Sequence, residues 1–259
     1  IKENFEEDAK VTVVLGELTR PDLLGVELSI ISPGIPLDAP FVPVLDEAKI
    51  PIWSEIQLAY HVAKGRLIAI TGTNGKTTTT ALTGAIMKTF FNEVFVVGNI
   101  GIPYTDVALD TTEKSVTVAE VSSFQLETIM DFHPNVSAIL NITPDHLNRH
   151  GTMENYIEVK ERVAVNQTED DCIVLNYDDK VLREFGEKKD LKPKVIFFSP
   201  KEGDPDDYVA IELASGKRIT ITNTCAANVL GLISPDNFAY GNANAARKAM
   251  QPLADYTGK

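Results

Sequence analysis

Residues Leu67–Thr80 read LIAITGTNGKTTTT, and this stretch restricts which architecture the rest of the chain can adopt. The apolar run predicts a strand over Leu67–Thr71, a loop with two glycines follows over Gly72–Thr77, and a helix is predicted over Thr78–Phe90. Glycines let backbone N–H groups curl around phosphate oxygens, and a helix N-terminus adds partial positive charge. The order of strand, loop and helix therefore predicts a nucleotide-binding loop in an α/β sheet.

Individual residue types in this loop suit that chemistry. Lys76 is expected to reach the β- and γ-phosphates, and the hydroxyl of Thr77 to ligate the Mg²⁺ that accompanies a nucleotide. The general pattern G-x-x-x-x-G-K-[ST] has a glycine where this chain has Ile70, so the match is partial. A chance G-K-T-T in a turn is the alternative, and the strand–loop–helix context argues against it. The predicted nucleotide-binding residues are Gly72, Thr73, Asn74, Gly75, Lys76, Thr77 and Thr78.

The rest of the chain continues the alternation of strands and helices. A segment with helical period, Met153–Asn166, lies between two of the predicted strands. Such alternation predicts a mostly parallel, doubly wound sheet that binds ligands at the carboxyl ends of its strands. The further strands are predicted at Val94–Val97, Val116–Val121, Ala138–Ile142, Cys172–Asn176 and Val195–Phe198.

The first sixty residues look like part of a separate α/β unit. Apolar runs predict strands at Val11–Leu15 and Val26–Ile31, a turn follows at Ser32–Gly34, and Ser54–Ala63 reads as a helix with Ser54 as its N-cap. Because this unit lacks a first strand and phosphate loop, we expect the chain to begin within a domain. The predicted domains are a partial Rossmann-like domain over 1–64 and a central ATP-binding domain over 65–259.

Composition limits the class of protein. The chain has 259 residues, of which 44% are hydrophobic, and a formal net charge of −13. This charge argues against a nucleic-acid partner, since counterion release needs clustered lysine and arginine. No apolar run approaches the roughly 20 residues that span a bilayer, and the first residues lack the apolar region of a signal peptide. We therefore expect a cytoplasmic protein without a membrane partner.

Polar residues lie at the ends of two predicted strands, where ligands are expected. Glu120 ends an apolar strand, and Asp145 and His146 lie just beyond another. A carboxylate among apolar residues is costly unless it is paired or bound to a metal. Taken alone, Glu120 could be a salt-bridged core carboxylate, and His146 a loop or helix-cap histidine. The convergence of both with the phosphate loop at one sheet edge predicts a functional site.

Several segments together resemble the Mur ligase family. They are SPGIPLDAP, GTNGKTT, GNIGIP, AEVSSFQLE and NITPDHLNRHGTMENYIEVKERV. The similarity covers Ser29–Asp179, and AEVSSFQLE resembles the family member that adds D-glutamate. Two alternatives stay open: a folylpolyglutamate-synthase-type ligase, which shares the phosphate loop but not SSFQLE, and a nucleotide-binding regulatory module.

The resemblance implies a fold and a reaction. The fold would be a Mur-ligase central P-loop domain with a mostly parallel doubly wound sheet, preceded by part of a Rossmann-like domain. The reaction would be ATP-dependent addition of D-glutamate to UDP-N-acetylmuramoyl-L-alanine in peptidoglycan precursor synthesis, with two Mg²⁺ ions. The family's C-terminal domain, which binds the incoming amino acid, is expected to be missing from these residues, so we expect them to be inactive alone.

The resemblance also implies residue roles. Thr77 and Glu120 would hold one Mg²⁺, while Glu120, His146 and an N-carbamylated Lys160 would hold a second. An exposed helix lysine is the alternative reading of Lys160. The implied catalytic residues are Lys76, Asn99, Glu120, His146 and Lys160. The implied substrate-binding residues are Ser32, Pro33, Gly34, Asn99, Ser122, Gln125 and His146.

The chain departs from the family pattern at two motifs. Asn148 occupies a position where the family usually has aspartate, which is expected to affect the orientation of the loop beside it. The motif that contacts adenine in the family is degenerate here, as Tyr240–Asn244.

Overall fold

The computed structural model describes Val14, residues 16–199 and the strands at 208–212 and 218–222. The strands are β1 (Ser29–Ile31), β2 (Ile52–Ser54), β3 (Arg66–Thr71), β4 (Val94–Gly98), β5 (Val116–Glu120), β6 (Val136–Ile139), β7 (Cys172–Asn176), β8 (Lys194–Phe198), β9 (Tyr208–Glu212) and β10 (Arg218–Thr222). The α-helices are α1 (Val42–Glu47), α2 (Glu55–Val62), α3 (Lys76–Met87), α4 (Tyr104–Val107), α5 (Ser123–Leu126), α6 (Leu147–His150), α7 (Met153–Glu161) and α8 (Lys180–Gly186).

Six strands form the central sheet, in the order β4-β5-β3-β6-β7-β8, and every neighbouring pair is parallel. The strand that carries the phosphate loop, β3, therefore lies between β5 and β6. All carboxyl ends point to the same edge of the sheet. This arrangement confirms the predicted α/β class and its parallel sheet, while β9 and β10 form a separate antiparallel pair.

Alternation along the strands explains why helices cover both faces. Leu67 and Ala69 of β3 belong to one buried cluster, which includes residues of α2, α4, α7 and α8. Ile68 and Ile70 belong to a second buried cluster on the opposite face, together with Met87 of α3. Since neither face of the sheet meets water, the strands are continuous apolar runs, as is typical of doubly wound sheets.

Most predicted elements are present, with shifted ends. The strand Cys172–Asn176 has the predicted bounds, and α3 begins at Lys76, two residues before the prediction. The prediction of a strand over Ala138–Ile142 was wrong in its bounds, because β6 runs from Val136 to Ile139. The β6 ladder pairs with β3 only up to Thr71, where β3 turns into the phosphate loop and offers no further partner.

The elements before the central sheet form a short parallel pair, β1 with β2, followed by α2. The predicted strand over Val26–Ile31 is reduced to β1. Ser54 is at the N-cap position of α2, as predicted, but its side chain makes no capping hydrogen bond. The boundary after residue 64 remains a prediction, and Ile56 and Ala59 of α2 pack in the central sheet's core.

Two sequence-based expectations lie outside the described residues: the strand over Val11–Leu15, apart from Val14, and the Tyr240–Asn244 motif. Among the residues that the structure describes, no helix is long and apolar enough to cross a membrane.

The backbones at the ends of β4 and β5 approach each other closely beside the phosphate loop. Gly98 ends β4 with φ +100°, and a Cβ atom there would lie 2.2 Å from the backbone oxygen of Glu120. The absence of a side chain lets the next residue, Asn99, donate its backbone N–H to that same oxygen at 2.9 Å. Gly98 therefore brings the Asn99 loop against the end of β5.

We predict that Gly98→Ala lowers the free energy of unfolding by at least about 2 kcal/mol, because the strained backbone is combined with a clash against a carbonyl. Gly101→Ala is the control, since Gly101 also has a positive φ (+60°) but open space around it. The control is expected to cost about 1 kcal/mol. Urea unfolding measures both, and equal losses would contradict the close approach.

Candidate active site

The phosphate loop leaves β3 at the carboxyl edge of the sheet and enters α3. Gly72 and Gly75 have φ values of +145° and +82°, which are unfavourable for residues with side chains. The N-terminus of α3 begins directly at Lys76, so its unpaired N–H groups face the loop. The Nζ atom of Lys76 donates to the carbonyl of Thr73 at 2.9 Å. The N–H groups at the start of α3 and the Lys76 ammonium are therefore donors suited to an anion.

Side chains from the segment after β6 brace this loop. Asn141 accepts from the Asn74 backbone N–H at 2.8 Å and donates to the Asn74 carbonyl at 3.0 Å. The Thr73 hydroxyl lies 3.1 Å from the hydroxyl of Tyr156 and accepts from the Thr143 backbone N–H at 3.0 Å. None of Asn141, Thr143 and Tyr156 was assigned a role from the sequence. Their only signal was membership of the segment NITPDHLNRHGTMENY.

Glu120 lies beside the loop, as predicted. Its side chain is 2% exposed and accepts hydrogen bonds from the Thr77 hydroxyl at 2.8 Å and the Asn99 amide at 3.2 Å. Three of the predicted catalytic and metal-binding residues are thus joined directly. In the described part of the chain, no lysine, arginine or histidine nitrogen lies within 4 Å of this carboxylate.

This environment fits a magnesium ion. A buried carboxylate that is balanced only by neutral donors carries an uncompensated charge. Magnesium is usually bound by one or two carboxylates together with substrate phosphates and water. Glu120 supplies one carboxylate, and the Thr77 hydroxyl lies beside it. The described residues contain no group of three or more His, Cys, Asp or Glu arranged for a metal.

Lys160 is not an exposed helix lysine. It is 2% exposed, and its Nζ atom donates to the Gly72 carbonyl at 2.9 Å and lies 4.8 Å from the centre of the Tyr156 ring. Burial, with a smaller contribution from the charge of Lys76, lowers the pKa of Lys160 to about 7. A substantial fraction of neutral amine is therefore present near neutral pH, next to the phosphate loop.

His146 is less closely connected to this group. It has φ +51° and caps α6, with its ring 4.9 Å from that of Phe124 and its Nε2 atom 3.5 Å from Asp145. The contacts between described residues do not join His146 to Glu120 or Lys160. A left-handed conformation at a residue with a side chain is strained, and such strain is concentrated at functional sites.

The predicted substrate residues Ser122 and Gln125 form a capping box at the start of α5. The Gln125 side-chain oxygen accepts from the Ser122 N–H at 2.8 Å, and its amide nitrogen donates to Glu55 at 3.2 Å. Gln125 is buried and Ser122 is partly exposed. No sequence motif pointed to Glu55, and burial raises the pKa of its carboxyl group above the ordinary value.

A cleft of about 900 Å³ runs between the turn after β1 and the α6–α7 segment. Gly34 and His146, both predicted to contact substrate, line it. Ser32 and Gly34 are exposed and Pro33 is partly exposed, and the turn is closed by a hydrogen bond from the Ile35 N–H to the Ser32 carbonyl at 2.9 Å. The cleft therefore lies between residues that follow β1 and residues that follow β6.

Comparison with known proteins decides the family. The model of the Mur ligase middle domain matches residues 70–239, which is well over half of the chain. The chain belongs to the Mur ligase family. The match begins on β3 and includes the phosphate loop, Glu120 and Lys160.

Two relatives are ligases named for D-glutamate. The UDP-N-acetylmuramoylalanine–D-glutamate ligase of Lachnospira eligens is 49% identical over 235 residues, which cover 89% of this chain and 52% of that ligase. The ligase of the same name from Lachnoclostridium phytofermentans is 56% identical over 176 residues, which cover 68% of this chain and 39% of its own length. The chain thus spans about half the length of the first of these ligases and less than half the length of the second.

A solved structure supports the fold. The UDP-N-acetylmuramate:L-alanyl-gamma-D-glutamyl-meso-diaminopimelate ligase of Neisseria meningitides aligns with a TM-score of 0.50 at 15% identity. The alignment covers 90% of this chain and 75% of that one. At this identity the likeness concerns the fold of Mur ligases alone.

We predict that Asn141→Ala loosens the phosphate loop of this Mur ligase chain. Loss of two hydrogen bonds to Asn74 should speed amide hydrogen exchange at Asn74 by about 3- to 10-fold, since one such bond contributes about 0.5–1.5 kcal/mol. Asn166→Ala is the matched control, because Asn166 also donates to two backbone carbonyls, those of Met130 and Phe132. An unchanged rate of amide exchange at Asn74 in Asn141→Ala would show that Asn141 does not stabilise the phosphate loop.

Proposed function

We propose that the protein is an ATP-dependent ligase that joins D-glutamate to UDP-N-acetylmuramoyl-L-alanine in peptidoglycan precursor synthesis. The observation that carries the proposal is the 2.8 Å hydrogen bond between Thr77 of the phosphate loop and the buried Glu120 carboxylate. It joins the phosphate loop to a buried carboxylate that would bind a metal ion beside a nucleotide. The names of the two relatives support the choice of D-glutamate and of the muramoyl–alanine acceptor.

The proposed reaction has two steps. First, an oxygen of the alanyl carboxylate attacks the γ-phosphorus of ATP, the bond to ADP breaks, and an acyl phosphate forms. Second, the amine of D-glutamate attacks the acyl carbon, inorganic phosphate leaves, and the nitrogen loses a proton. Both carboxylate and triphosphate are anionic, so the reaction depends on neutralising charge and on holding the two groups together.

The loop residues would bind the triphosphate. The Gly75 N–H and the N-terminus of α3 would hold phosphate oxygens, with Thr73, Asn74 and Thr78 beside them. Lys76, whose Nζ now contacts a carbonyl of the loop, would turn to the γ-phosphate. Magnesium bound by Thr77 and Glu120 would neutralise developing negative charge on the phosphates.

Substrate would be held on the other side of the site. The turn Ser32–Gly34 would contact the UDP-sugar, and Asn99, Ser122, Gln125 and His146 would contact the muramoyl–alanine part. Support for this placement comes from the shared cleft of Gly34 and His146. The capping box holds the Gln125 amide in one orientation. Gln125 would therefore contact the substrate as a fixed group.

A carbamate on Lys160 would complete the site. Carbamate formation needs a neutral amine, and burial lowers the pKa of Lys160 to about 7, so this form is accessible near neutral pH. A lysine ammonium repels Mg²⁺, whereas a carbamate offers the oxygen ligands that the ion prefers. A carbamylated Lys160 would hold a second Mg²⁺ with Glu120 and His146. Since His146 does not now contact either residue, ligand binding would have to bring it closer.

We predict that Lys76→Ala in the full-length protein lowers ATP-dependent ligation of D-glutamate by about 10²-fold or more, because the cation that would face the γ-phosphate is lost. Lys88→Ala is the control, since Lys88 is an exposed residue at the far end of α3. Product formation is measured with UDP-N-acetylmuramoyl-L-alanine, and folding with circular dichroism. Normal turnover in folded Lys76→Ala protein would disprove the proposal.

We predict that Lys160→Ala strongly lowers the same activity and that short-chain carboxylic acids partly restore it, because they can supply the vacated oxygen ligands. Lys180→Ala, at an exposed surface lysine paired with Glu184, should behave as wild type and show no response to the acids. If Lys160→Ala keeps full activity, or if acids have no effect on an inactive but folded variant, the carbamate is disproved.

A further inference from the structure

Arg149 of α6 reaches across the cleft to the turn after β1. Its Nη2 atom donates to the backbone carbonyl of Ile35 at 2.9 Å, although the two residues are 114 positions apart in the sequence. Ile35 also closes the Ser32–Gly34 turn through its own N–H. Since the acceptor is a backbone oxygen, the contact fixes the path of the chain at this turn.

The guanidinium group is itself held in one plane. Its Nε and Nη2 atoms donate to the two carboxylate oxygens of Glu127 at 3.2 and 2.5 Å. Both side chains are largely buried, at 13% and 10% exposure. A two-point contact of this kind restricts orientation as well as distance. The position of the Arg149 guanidinium is therefore fixed by α6 and the end of α5, and its hydrogen bond to Ile35 fixes the turn relative to them.

The same guanidinium lies against the residue that packs on His146. The central carbon of Arg149 is 4.8 Å from the centre of the Phe124 ring, and that ring is 4.9 Å from the ring of His146. Phe124, Glu127, His146 and Arg149 all line the cleft together with Gly34. One side chain thus connects the turn on one wall of the cleft with the histidine on the other.

We propose that Arg149 is a positioning residue that sets the distance between the Ser32–Gly34 turn and His146, and so aligns the two ends of a sugar nucleotide that carries a carboxylate. The inference rests on the proposed function and extends it. Arg149 binds no phosphate in this role. It acts through the Ile35 carbonyl and the Phe124 ring, and the nucleotide triphosphate site around Gly72–Thr77 is separate from it.

Arg149→Lys in the full-length protein is the test. A lysine keeps the charge but cannot contact Glu127 through a planar fork and also reach the Ile35 carbonyl. We expect the KM for UDP-N-acetylmuramoyl-L-alanine to rise roughly 10- to 100-fold, which corresponds to loss of a hydrogen bond with one charged partner. The KM for ATP should stay within about twofold of the wild-type value, a split that mere destabilisation would not produce.

Arg183→Lys is the matched control. Arg183 of α8 also donates to a backbone carbonyl, that of Tyr177 at 3.4 Å, and lies over an aromatic ring at 5.1 Å, but outside the cleft. Both KM values should be unchanged in this variant. If Arg149→Lys does not fold, Glu127→Gln is used instead, because it keeps the arginine and disrupts the fork, and the same split is expected.

Each outcome has a separate meaning. If wild-type protein does not ligate D-glutamate to this acceptor, the proposed function fails. If wild type is active and the acceptor KM of the Arg149 or Glu127 variant is unchanged, the positioning role is overturned while the function stands. Equal increases in both KM values would also overturn it, because they indicate a general structural defect.

Discussion

A carboxylate buried at the end of a central strand, Glu120, is the constraint on which the rest of the site depends. Its side chain is 2% exposed, and its hydrogen-bond partners are the neutral groups of Thr77 and Asn99. An uncompensated buried charge costs several kcal/mol. The fold accepts this cost at the point where β3, β4 and β5 end together. The close approach of Gly98 and the start of α3 both serve to bring donors to that carboxylate.

Positively charged groups lie at the same edge of the sheet. The N-terminus of α3 and Lys76 face the phosphate loop, and Lys160 contacts the loop from α7 through the Gly72 carbonyl. Burial, with a smaller contribution from the charge of Lys76, lowers the pKa of Lys160. In the proposed function, bound phosphates and a metal ion would balance these charges.

Local patterns made much of this predictable. The apolar strands, the glycine loop and the position of Glu120 all depend on residues close in sequence, so periodicity and turn chemistry identify them. Contacts between segments that are distant in the sequence could not be predicted from local patterns. Asn141 bracing Asn74, the burial of Lys160 and the Arg149 contact with Ile35 each join a polar side chain to a distant backbone group. The strand β6 was misplaced for a related reason, since its end is set by where its neighbour β3 stops.

The magnesium dependence of ATP affinity, compared by titration calorimetry in wild-type protein and Glu120→Gln, tests the central claim most directly. Glutamine keeps the size of the side chain and removes its charge. Magnesium should tighten ATP binding to the wild type by about tenfold or more, and should have little effect on Glu120→Gln, which without ligand should be at least as stable as the wild type. Equal tightening by magnesium in both proteins would contradict the claim that the buried carboxylate is there to hold a metal ion.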